Sequence, residues 1–214
     1  MDLGRWLNAG WYIIKDDILS FALATLLLGL LGSITCGVLA PALSCGLFMM
    51  AFQKMAYGRV DVSMVFAGFQ RFLPAFLTGL ALFGLLLAAT CISMGPLFLV
   101  QAAAPDNQAA LALAQLWNYP VSIVLQSLIY AAFFFVFPHI AARNVAAAEA
   151  ITASWEVFRR NVLMFALTAF LFQLISGLGA LACCIGVLVT QPLVMAATAQ
   201  AYADHFGIAG LEAL

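Results

Sequence analysis

The chain has 214 residues, 66% of them hydrophobic and only 8% charged. A soluble domain carries roughly 25% charged residues, so a water-facing surface is excluded and the solvent is lipid. The net charge of −1 gives no electrostatic basis for a nucleic-acid partner.

In chain order, residues 1–17 read as an amphipathic helix lying in the membrane interface. Leu3, Trp6, Leu7, Ile13 and Ile14 recur at helical spacing, with Asp2, Arg5, Asn8 and Lys15 between them. The first apolar run, Ile18 to Leu39, follows Asp16 and Asp17 directly. It is longer than a signal-peptide core, which predicts a retained span. Pro41 to Tyr57 returns. Residues 58–72 form a weaker amphipathic segment before two long runs, Leu73 to Val100 and Leu116 to Ala142. Within the first of these, Pro96 after Gly95 is the best place for a helix break. In residues 143–161, Val145, Ala148, Ile151, Trp155 and Phe158 form a stripe, and Glu156 can pair with Arg160 four residues on. Val162 to Ala182 and Gly186 to Tyr202 close the chain. A bilayer core takes roughly 20 apolar residues per helix, and continuous runs disfavour a barrel. The expected fold is all-α: one polytopic transmembrane helical bundle over residues 1–214. Six spans form three hairpins, each preceded by a cytoplasmic amphipathic helix.

The basic residues set the expected orientation. Arg5, Lys15, Lys54, Arg59, Arg71, Arg143, Arg159 and Arg160 fall at every second connection, and the connections between hold none. Cytoplasmic segments keep the Lys and Arg excess, which predicts a multi-pass cell-membrane protein, of the bacterial inner-membrane kind, with both termini cytoplasmic. Trp6, Trp11, Trp155, Arg159 and Arg160 are the expected interfacial anchors.

The lead-ins resemble copies of one unit. Trp11, Lys15, Asp17, Ile18 and Phe21 match Trp155, Arg159, Asn161, Val162 and Phe165 in spacing, and Phe66, Phe69, Gln70, Leu73 and Phe76 fit more loosely. A pseudo-threefold repeat follows as an expectation. The competing account is that any amphipathic entry before an apolar run looks repetitive.

Further short motifs run over most of the chain. They include Tyr57-Gly58-Arg59, Val62-Ser63, Phe66-Ala67-Gly68-Phe69, Ala150 with Ser154-Trp155, and Arg160-Asn161. Gly177-Leu178-Gly179, Cys184-Ile185-Gly186, Pro192, Tyr202-Ala203-Asp204 and Phe206-Gly207 continue them. On these the chain resembles bacterial multi-span membrane proteins related to the membrane domain of glycerophosphoryl diester phosphodiesterase. The resemblance implies a lipid-facing or partner-binding module. It carries no phosphodiesterase activity, because there is no room here for the soluble catalytic domain.

Candidate chemistry is sparse. His139 and His205 sit at inner helix ends, whereas Cys36, Cys91, Cys183 and Cys184 sit near outer ones. Zinc ligands must converge within about 2.3 Å of the ion, so these sets do not meet, and neither metal nor cofactor is expected. Cys36 with Cys183 or Cys184 could form outer-face thiol pairs, against the plainer account of cysteine as a small apolar filler. No Gly-x-Ser-x-Gly, Walker loop or dinucleotide fingerprint occurs. Asp204, His205, His139 and Glu149 offer acid–base groups only if they gather at the inner face. Gln126, Gln173 and Gln191 either bond between helices or line a polar cavity.

The first functional expectation is therefore a non-enzymatic module that interacts with membrane lipids, or docks a protein partner or a second copy of itself. The alternative is a small-molecule transporter, or the substrate-binding subunit of one, with a polar cavity near mid-membrane.

Overall fold

The computed structural model describes residues 3–181 and 185–207. Every regular element among them is helical, because a backbone in lipid must satisfy its own hydrogen bonds. The helices are α1 (Leu3–Ile14), α2 (Ile18–Ile34), α3 (Ala40–Tyr57), α4 (Met64–Ala67), α5 (Phe72–Ala103), α6 (Gln108–Ala132), α7 (Val136–Arg143), α8 (Ala147–Arg160), α9 (Val162–Leu181) and α10 (Ile185–Phe206). A 3-10 turn over Gly68–Arg71 joins α4 to α5. Local sequence sets several ends. Gly58 stops α3 at φ 68°, where a left-handed residue is needed. Asn144 does the same for α7 at φ 52°. The Asn107 side chain starts α6 by accepting the Ala110 N–H at 3.0 Å.

Among the described residues, Met64–Ala103, Gln108–Arg143 and Val162–Ala180 hold helices long and apolar enough to cross a membrane. A fourth is reached if α1 and α2, which meet at 98°, count as one broken span. Antiparallel pairs α5–α6 and α9–α10 pack through α6 and α9 into a bundle. The long helix α5 buries only Ala75, Thr78, Ala89 and Ser93, and turns Leu80, Phe83, Leu87, Ile92 and Phe98 outward. Small residues inside and large apolar ones outside is the pattern of a helix whose solvent is lipid. It also runs unbroken through Pro96, contrary to the break expected there. The break falls at Phe133–Phe135, between α6 and α7. There the Ser154 hydroxyl of α8 donates to Ala132 O at 2.7 Å and accepts the Phe135 N–H at 3.2 Å.

Helix α3 is the most enclosed element, buried from Leu43 to Phe52 except at Ser44. One end, Pro41, touches Gly79, seven residues into α5. The other, Phe52, lies 5.6 Å from Tyr202, near the end of α10. Cys45 between them faces Phe137 O of α7 at 3.9 Å. The α4 segment is pressed on α3 backbone to backbone, Val65 over Gly46 and Gly68 over Ala42. Only residues without a side chain permit that approach.

The amphipathic segments differ from one another. Helix α1 lies along α10, and a methyl added at Gly10 would sit 2.8 Å from Ala197 N. Its Trp6 is buried, 1% exposed, and donates its indole N–H to Asp204 at 2.8 Å. This corrects the expectation for Trp6: it anchors α1 to α10 rather than to headgroups. Trp11 and Trp155 are exposed. The middle segment is only α4 and its 3-10 turn, and residues 143–161 divide into the end of α7 and all of α8.

Candidate functional site

The cationic side chains gather where the helices end. Arg5 pairs with Asp204 at 2.5 Å, and Lys54 with Asp17 at 2.5 Å. Arg71 donates to Ile140 O at 2.8 Å, and Arg143 to Phe206 O at 3.3 Å. An aromatic cluster of Phe135, Phe165, Tyr202 and Phe206 packs at this same end of the bundle. The Asp204 carboxylate accepts from the Trp6 indole, the Gln200 amide and the Arg5 guanidinium. Asp204 is thus engaged in fixing α1, and His205 packs between Trp6 and Phe135. His139 pairs with the Tyr202 hydroxyl at 3.1 Å. Among the described residues no three histidine, cysteine or acidic groups converge as metal ligands do.

Above α3 lies a cavity of about 560 Å³. Gln126 of α6, Gln173 of α9 and Gln191 of α10 all line it, with Ser44, Ser176 and Thr198. Three glutamines singled out in separate spans thus face one space, since α6, α9 and α10 pack in sequence around it. Phe48, Phe133, Phe134, Phe137 and Phe172 form its apolar part. Among the described residues, no charged side chain lines it. The Gln173 amide nitrogen donates to Ser127 Oγ at 3.2 Å. The aromatic lining was missed by the sequence reading because Phe133–Phe137 looked like uninterrupted span.

A second hollow, a groove of about 730 Å³, lies where α8 meets α5, α6 and α9. Its wall is almost wholly apolar, with Leu85, Ile129, Ile151, Phe158 and Val162, and with Trp155 beside them. Arg159 follows Trp155 by four residues, one helical turn, and both Arg159 and Arg160 are exposed. Cys36 is an exposed free thiol at the α2–α3 turn. Cys183 and Cys184 lie outside the described residues, so the outer-face thiol pairing has no geometry here.

No family model, no curated protein and no solved structure matches this chain.

Proposed function

We propose that this chain is a non-enzymatic, lipid-interacting module of a cell membrane that holds an anionic phospholipid at α8. The observation that carries this is the apolar groove with Trp155 beside it and Arg159 one turn further on. An acyl chain fits such a wall, an indole sits at headgroup level, and a guanidinium pairs with a phosphate. Each basic residue at an anionic surface contributes about 1 kcal/mol. The double variant Arg159→Gln/Arg160→Gln is therefore expected to retain anionic phospholipid about thirty-fold less tightly, by mass spectrometry of the protein released from lipid discs. Equal retention by the variant, or a protein bound in place of lipid, overturns the lipid reading in favour of partner docking.

The same reading places both termini on the cytoplasmic side, with an even number of crossings. The six expected crossings include α2 and α3; we take four instead, α5, α6 and α9, which are long and apolar enough to cross, and α10, which pairs with α9. Pro41 and Phe52 touch α5 and α10 near their cationic ends, so α3 lies across the bundle rather than along it. Upright, α3 would lift Ala42 about 18 Å above Lys54. Gly68, seated on Ala42, would carry Arg71 in with it. An arginine at that depth costs about 2.5–3.5 kcal/mol. Lying across, α3 keeps Arg71 at the interface. We retain the repeat as an order of elements, an amphipathic entry before a pair of helices.

The second reading, a carrier or substrate-binding subunit, is favoured by Gln126, Gln173 and Gln191 lining one cavity.

A further inference from the structure

We infer that the cavity above α3 binds an uncharged amphiphile whose head carries hydroxyl or amide groups, of the monoacylglycerol type. This names the ligand class for the carrier reading and rests on it only in taking the cavity to be occupied.

The lining selects the class. With no charged side chain among the described lining residues, a carboxylate, phosphate or ammonium would lose its water without gaining a counter-charge. Primary amides both donate and accept, and so match hydroxyl groups in either role. Gln126 and Gln191 make no side-chain hydrogen bond among the described residues, and Gln173 engages one amide nitrogen, with its carbonyl oxygen left to accept. Amides left without partners inside lipid need a polar guest or water. Phenylalanines on the remaining wall, with Leu82 and Met195, suit an alkyl chain. The volume falls within the roughly 300–1,000 Å³ of small-molecule sites.

The geometry also favours a pocket over a conduit. Ser44 and Phe48 of α3, with Phe134 and Phe137 around the α6–α7 break, form a floor on its α3 side. A guest enters from the opposite end or from between helices, head toward the glutamines and chain against the phenylalanines.

The test uses the full chain in lipid discs, titrated with monooleoylglycerol, oleate and lysophosphatidylcholine, read by native mass spectrometry and thermal shift. Monooleoylglycerol is expected to bind in preference to both charged probes. Gln126→Leu/Gln191→Leu is expected to bind it about thirty-fold more weakly, the effect of two lost hydrogen bonds. Gln126→Asn/Gln191→Asn, which keeps shortened amides, should recover part of the loss and guards against a folding defect. Arg159→Gln/Arg160→Gln should leave this binding unchanged, which separates the cavity from the α8 groove. Tighter binding of oleate or lysophosphatidylcholine, no bound monooleoylglycerol, or unaltered binding by the leucine variant overturns the proposal.

Discussion

Gly68→Val and Gly46→Val are each expected to cost more than about 3 kcal/mol and to leave little folded protein in detergent. Overpacking a core costs roughly 1–3 kcal/mol when side chains can shift. Here nothing of that kind can move. A β-carbon on Gly46 would strike the backbone of Val65, and one on Gly68 the backbone of Ala42 and Gly46. The α3–α4 contact is made of main chain on both sides, so relief requires the helices to part, opening the enclosed centre of the protein. Gly84→Val is the control. An added side chain there meets nothing within 4 Å, and its melting temperature should match the parent within a degree or two. Circular dichroism and size-exclusion chromatography give the comparison. Equal behaviour of Gly84→Val and Gly68→Val would remove α4 from the packed core.

Ser154→Ala is expected to be the most damaging single-atom deletion, at about 2–4 kcal/mol. Its hydroxyl satisfies Ala132 O and the Phe135 N–H on either side of the α6–α7 break. Ser154 is 1% exposed, so no bulk water replaces it. Each orphaned buried group costs about 1–3 kcal/mol. The break would loosen, and with it Phe133 and Phe134 in the cavity wall. Ser154→Thr keeps the hydroxyl and should lose less. The check is unfolding in mixed micelles, with hydrogen exchange at residues 132–137. Unchanged protection there in Ser154→Ala would show that other groups hold the break.

Some of this was legible in the residues, and some could not be. The runs Leu73 to Val100 and Val162 to Ala182 became α5 and α9 within a few residues, because an apolar run in lipid has few alternatives to helix. The fourth run was entered too late. It starts at Gln108, where Asn107 caps an alanine-rich turn that hydropathy alone undervalues. It is also interrupted after Ala132 before α7 carries it on to Arg143, and no local signal marked that interruption. The chain there is phenylalanine after phenylalanine, and the break is held by Ser154, 22 residues away. Trp6 misled for a related reason. Amphipathic spacing shows that one face is apolar, not whether lipid or α10 covers it. The placement of α3 depends on which helices meet Pro41 and Phe52, a non-local fact. The three glutamines could be picked out singly as polar groups deep in spans. That they share one space follows only from the packing of α6, α9 and α10.

The most direct test of sidedness and of the crossing α3 is thiol labelling of intact cells with a membrane-impermeant reagent. Three variants each carry one cysteine: Asn8→Cys, Asp106→Cys, and native Cys36 alone. Asp106 lies in the α5–α6 turn, and Asn8 and Cys36 are exposed. The account predicts that position 106 reacts at once, and that positions 8 and 36 stay silent until the cells are permeabilised. A silent 106 beside a reactive 8 would invert the orientation, and a Cys36 labelled from outside would set α2 and α3 upright across the bilayer.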